Sequence, residues 1–182
     1  MRFEPGTYGF GPDNATLVVR TGRTGAAAKA GHDLVIHVTS WQATLDLGED
    51  RGRTAVELTA DPSSLRVREG SGGMQALGDD DKANIQKTID GDVLKGKAIA
   101  FRSSAIESHA GGNRLSVHGD LELFAHSRPL AFELSVGEDG QLSARATVKQ
   151  TDWGIKPYSA LFGALKVADE VEVVLTASLP AS

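Results

Sequence analysis

Apolar residues recur at every second position along most of this chain, and this alternation limits its fold more than any other feature. Across Asn113–Phe124, Leu115, Val117, Leu121 and Leu123 share one side with Gly119, while Arg114, Ser116, His118, Asp120 and Glu122 take the other. Successive side chains of a strand point to opposite faces, so this spells an antiparallel strand with one dry side and one wet side. The pattern returns at Leu17/Val19, Leu34/Ile36/Val38, Trp41/Ala43/Leu45/Leu47 and Val56/Leu58/Ala60. It returns again at Phe132/Leu134/Val136, Leu142/Ala144/Ala146/Val148 and Val171/Val173/Leu175/Ala177/Leu179. Its parity flips near Ser40, which predicts a bend or bulge inside a long strand. Turn signals at Gly48-Glu49-Asp50, Ala110-Gly111-Gly112-Asn113 and Gly137-Glu138-Asp139-Gly140 separate the runs. About eight strands at short spacing predict a sandwich or a barrel.

One segment departs from this period. From Asp79 to Leu94, Ala83, Ile85, Ile89 and Val93 fall near helical spacing, behind an Asp79-Asp80-Asp81 start suited to a helix dipole. Gly91 weakens the last turn by up to about 1 kcal/mol relative to Ala. No composition break or internal repeat marks a second domain, and 182 residues suit one. If one sheet curls shut, about eight strands enclose just enough room for packed side chains or one small ligand. The fillers are sparse: two Trp, two Tyr and six Phe in the whole chain. A lumen lined with Ala, Val and Leu leaves space, and apolar space favours an apolar guest.

The chain lacks cysteine altogether, which removes disulfides, thiolate metal sites and cysteine nucleophiles. Its net charge of −5 lacks the basic footprint of a nucleic-acid binder. No apolar run reaches the length of a membrane span, and Met1-Arg2-Phe3-Glu4-Pro5-Gly6 lacks the apolar core of a secretory signal. The expectation from these absences is a cytoplasmic protein.

Motifs for chemistry are few. Gly91-Asp92-Val93-Leu94-Lys95-Gly96-Lys97-Ala98 imitates a phosphate loop but ends in Ala, without the hydroxyl that would hold Mg²⁺, and it closes a helix instead of opening one. The five histidines show no i, i+4 pair and no second ligand type at metal spacing, so no metal site and no cofactor are expected. His32-Asp33 follows Ala30-Gly31 and opens a strand; it reads as a loop-fixing or headgroup-contacting pair, with catalysis the weaker alternative because no nucleophile accompanies it. The densest apolar stretch, Trp153–Leu165, carries three readings: a rim folded over a barrel mouth, a homodimer contact, or core cover.

Several landmarks together resemble a known family. They are Lys29-Ala30-Gly31-His32-Asp33-Leu34 before a strand leading to Trp41, and Asp61-Pro62-Ser63-Ser64-Leu65 before a loop. Ile89-Asp90-Gly91-Asp92-Val93-Leu94 and Ile99-Ala100-Phe101 follow, then Val117-His118-Gly119-Asp120-Leu121-Glu122-Leu123, Arg128-Pro129-Leu130 and Val167-Ala168-Asp169-Glu170-Val171. In this order they resemble the YceI-like family of lipocalin-like barrels that bind polyisoprenoids or related amphiphiles. The Glu69–Leu77 loop and the Trp153–Val167 segment resemble a cytoplasmic-type branch. Lys95-Gly96-Lys97-Ala98 stands where the family has Tyr-Pro.

The resemblance implies an all-β fold with one or two short helices, an eight-stranded antiparallel barrel over residues 1–182, and a helix at about 79–94 covering one end. It implies non-catalytic carriage or sequestration of a long-chain lipid of polyisoprenoid, quinone or fatty-acyl type. Dry-face positions name the candidate lining residues: Trp41, Leu45, Phe101, Leu115, Leu121, Phe132, Leu134 and Val173, with His32 and Trp153 at the mouth. The rival readings are a filled barrel acting as a stress-related or interaction protein that dimerises through Trp153–Leu165, and an enzyme using His32 and Asp33.

Overall fold

In the computed structural model, which describes residues 4–48 and 54–178, the alternation becomes strands whose burial alternates with it. The chain order is β1 Gly6–Phe10, β2 Ala15–Thr21, β3 Arg23–Thr24, β4 His32–Val38, β5 Trp41–Leu47, β6 Ala55–Ala60 and β7 Leu65–Gly72. The helix α1, Asp79–Thr88, comes next. Then follow β8 Ile99–Ser108, β9 Arg114–Leu123, β10 His126–Val136, β11 Gln141–Lys149, β12 Ser159–Ala160, β13 Leu165–Val167 and β14 Glu170–Ser178. β5 is the plainest case: Trp41, Ala43, Leu45 and Leu47 are buried and the residues between them are exposed. The Gly48-Glu49-Asp50 turn and Leu179 run into residues outside those described.

Eleven strands form one curled antiparallel sheet in the order β1-β5-β6-β8-β9-β10-β11-β14-β2-β4-β7, and β12-β13-β3 form a small second sheet. The expected count of eight thus becomes eleven paired segments. The reason is local: three runs are broken by corners, at Gly11–Asn14, Thr39–Ser40 and Asp61–Ser64. Two of these corners are bonded to each other. Thr39 N–H and Oγ1 both donate to the Ser64 carbonyl (3.0 and 2.9 Å), and Asp61 N–H donates to the Ser40 carbonyl (2.9 Å). The parity flip near Ser40 is this corner. Asp61 fixes it further by accepting from Ser63 N–H and Oγ (2.8 and 2.7 Å), and those bonds hold its carboxyl below the usual range.

Gly119 shows why the wall can curve. A Cβ there would overlap the Arg102 carbonyl oxygen and the Phe101 ring. Opposite it the β8–β9 register slips between Ser103 and Ala105, so the absent side chain lets a bulge sit against β9.

The helix starts where the acids predict. Asp81 accepts from Gly78 N–H (3.0 Å), and Asp79, Asp80 and Asp81 fill the first turn. Regular winding stops at Thr88, and Ile89–Leu94, which contains Gly91, continues as a π turn to Lys95 in left-handed conformation (φ 53°). Ile85, Ile89, Val93 and Leu94 pack against Leu17, Ile36, Trp41 and Leu65. A second cluster, around Leu115, Val117, Leu134, Val136 and Leu142, fills the sheet elsewhere; Val117 and Leu142 are 0 % exposed.

Candidate functional site

The dry faces of the sheet and the inner face of α1 do not meet completely. They enclose a cavity of about 570 Å³, within the roughly 300–1,000 Å³ typical of small-molecule sites. Its walls are mostly aliphatic: Leu17, Val19, Leu34 and Ile36 from β2 and β4, Val171, Val173 and Leu175 from β14, and Ile85, Ile89 and Val93 from the helical segment. Phe101 and Phe132 form an aromatic patch on it, their ring centroids 5.2 Å apart and the planes tilted by 58°.

Besides Thr44, Thr88, Arg145 and Gln150, which line it singly, polar groups gather where β3, β4, α1 and β13 meet. Thr21, Arg23, His32, Asn84, Tyr158 and Lys166 all lie on the wall there. Ala30, Asn84, Tyr158 and Lys166 are on the wall and exposed to solvent at once, as are Thr44 and Arg145 singly; the grouped set is taken as the mouth. A smaller cavity beside it, lined by Met74, Gln75, Leu77 and Asp81, shares Ala30, His32, Asn84 and Ile85 with the large one. His32 stands between the two. Its ring Nε2 lies 2.8 Å from the Gln75 carbonyl; a carbonyl only accepts, so Nε2 carries the proton and ties the 73–78 loop to β4.

Asp33, next along the strand, turns the other way. Its carboxylate accepts from Arg23 N–H (3.0 Å) and lies 3.8 Å from Arg23 Nε. Arg23 Nη1 donates to the Gly31 carbonyl. The paired His32–Asp33 unit of the enzyme reading is therefore split between separate partners, because neighbours on a strand face opposite sides. Among the described residues, no three His, Asp or Glu side chains are grouped to hold a metal ion.

Of the ten residues singled out in the sequence, His32, Leu45, Phe101, Leu121, Phe132, Leu134 and Val173 are on the cavity wall. Three are not. Leu115 is in the buried cluster with Val117 and Val136. Trp41 is buried beside Leu65 and Leu94. Trp153 is 3 % exposed, far from a rim position, and its indole N–H donates to the Leu121 carbonyl at 2.8 Å. The dense stretch Trp153–Leu165 thus divides: Trp153 and Ile155 are core cover, while Tyr158, Leu161 and Phe162 face solvent. Sequence reading missed Arg23, Tyr158 and Lys166, since strands of two or three residues, such as β3, β12 and β13, carry no periodic signal.

The fold has relatives among solved structures. BcnA of Burkholderia cenocepacia is similar over 91% of this chain and 96% of its own, with a TM-score of 0.62 and 16% identity. The YCEI protein of Campylobacter jejuni is similar over 81% of this chain and 84% of its own, with a TM-score of 0.55 and 11% identity. At these identities the likeness is one of fold. No curated protein matches the chain in sequence. The family model for the YceI-like domain matches residues 14–179. This chain belongs to the YceI-like family.

Proposed function

We propose that this protein binds a long-chain amphiphilic lipid in its cavity and carries or sequesters it without catalysis. The observation that carries the reading is the cavity itself, about 570 Å³ walled mostly by aliphatic and aromatic side chains, with Thr21, Arg23, His32, Asn84, Tyr158 and Lys166 as a polar group on its wall. An apolar chain placed there gains about 25 cal/mol for each Å² of hydrocarbon removed from water, which requires no special residue. That polar group suits a headgroup. Polyisoprenoid, quinone and fatty-acyl chains all meet this description, and the family resemblance favours the first.

The barrel is part of the same proposal. Counted by continuous chain, β1 with β2, β4 with β5 and β6 with β7 are three bent strands, giving eight in a single domain around one lumen. An unfilled lumen supports a carrier over a filled-barrel interaction protein. Separate partners for His32 and Asp33 support binding over catalysis.

Organic extraction of purified protein followed by mass spectrometry tests the reading. A reproducible hydrocarbon-chain ligand is expected. Ala144→Phe, which adds a ring to the half-buried wall of β11, should abolish the ligand while the protein stays folded. Retention of the same ligand by the filled variant, or no uptake of a fluorescent fatty-acyl probe by the delipidated protein, would refute it.

A further inference from the structure

Among the described residues, the large hydrophobic side chains left exposed are Met74, Tyr158, Leu161 and Phe162. Tyr158 is on the wall of the large cavity and Met74 on that of the smaller one beside it, and Leu161 and Phe162 follow Tyr158 closely in the chain. Scattered apolar residues on a surface need no account, but a set gathered at one opening does. Phe162 is 111 % exposed and Leu161 58 %, and they are adjacent at the tip between β12 and β13.

The backbone holds them there at a cost. Leu161 and Phe162 have φ of 51° and 54°, a left-handed conformation unfavourable for side chains of this kind. It is fixed from below: Ala164 N–H donates to the Leu161 carbonyl (3.0 Å), Ala27 N–H to the Ala164 carbonyl (2.8 Å), and Val167 N–H to the Tyr158 carbonyl (2.9 Å). Strain that presents two apolar side chains to water brings no packing within this chain.

Charge close to the tip differs from the −5 of the whole chain. Segments 22–32 and 153–168, which meet there, contain Arg23, Lys29, Lys156 and Lys166; the acids that flank them are Asp33, beside Arg23, Asp169, which accepts from Thr151, and Asp152. Arg23 is occupied by Asp33, whereas Lys29, Lys156 and Lys166 have no ion pair among the described residues. The acids Asp79–Asp81 belong to another element, the start of α1, where Asp81 lines the smaller cavity.

We infer that the β12–β13 tip is a docking surface for a lipid bilayer with anionic headgroups. Leu161 and Phe162 enter the interfacial zone and the neighbouring lysines meet the headgroups. Docked so, the cavity mouth abuts the membrane, and a chain passes between bilayer and lumen without crossing water. This last step rests on the carrier reading above; the docking does not.

Vesicle flotation of the full chain separates the possibilities. The protein should float with vesicles of phosphatidylcholine mixed with phosphatidylglycerol, and less with phosphatidylcholine alone. The double variant L161N/F162N keeps the fold, because asparagine tolerates left-handed backbone, and should weaken vesicle binding by about tenfold or more. K29E/K156E alters neither cavity wall nor tip and should remove the preference for anionic vesicles, at roughly fivefold or more per residue. Wild-type protein that stays in solution with both vesicles overturns the proposal, as does an L161N/F162N variant that floats like wild type. A dimer in sedimentation that L161N/F162N converts to monomer, without vesicle binding, reassigns the tip to a second copy and also overturns it. Vesicle binding without uptake of a fatty-acyl probe upholds the docking and sinks the carrier reading alone.

Discussion

The two ends of the curled sheet grow from the same alternating strands and finish with opposite characters. At the floor, where Leu142 alone of the group reaches the cavity wall, Leu115, Val117, Val136, Leu142 and Ala177 lie on adjoining strands β9, β10, β11 and β14, and every one is buried. At the mouth, Val19, Leu34, Ile85, Ile89 and Val93 are each only half-buried, and no residue within α1 is buried. Strand against strand brings a side chain inward at every second residue, in register with its neighbours. A ten-residue helix offers one only every third or fourth residue, from a convex surface. Closure by register fills space; closure by this helix leaves it.

If that difference is real, the same kind of truncation should behave differently at the two ends. Leu115→Ala at the floor should cost about 2–5 kcal/mol in chemical denaturation, without altering uptake of a fatty-acyl probe. Gly119→Ala should come next, at about 1–3 kcal/mol, because the added methyl must displace Phe101 or the β8 bulge. A shift of the Phe101 resonances in NMR would locate the strain. Ile89→Ala at the mouth should cost about 1 kcal/mol or less, yet change probe affinity more than either floor variant does. Equal stability losses for Leu115→Ala and Ile89→Ala would break the comparison.

The smallest effect concerns Asp169, which joins the turn after β11 to the start of β14. Its carboxylate accepts from Thr151 Oγ1 (2.6 Å) and Thr151 N–H (2.9 Å), and the hydroxyl bond foremost holds its pKa below the ordinary 3.8. A lowered folded-state pKa means that the contribution is complete above about 3.8 and disappears as pH falls through the depressed value. Asp169→Asn should therefore flatten the acid limb of a stability–pH profile below pH 3.8 and leave the shape at neutral pH unchanged. An unaltered acid limb would remove Asp169 from the account of how this turn is held.

Legibility in the sequence followed the range of the forces concerned. Six of the eight residues chosen from dry faces are on the cavity wall, since the pleat alone decides which face a side chain takes, and His32, chosen for the mouth, is there too. Leu115 and Trp41 obey the same pleat but stand outside the cavity, packed into clusters with residues of other strands. Trp153 follows no alternation. Its direction is set by the Leu121 carbonyl, more than thirty residues away in sequence. The mouth was the least legible part. Arg23, Tyr158 and Lys166 meet there only because β3, β12 and β13 pair across the chain.

By itself the sequence determined the dry and wet faces, the corner near Ser40 and a helix beginning at Asp79, all consequences of spacing and local backbone preference. Tertiary structure alone decided that the lumen is not filled, where it opens, and which apolar side chains remain outside. Those outcomes depend on the volume left when curved strands, one bulge and one helix are brought together. No window of the chain contains that sum.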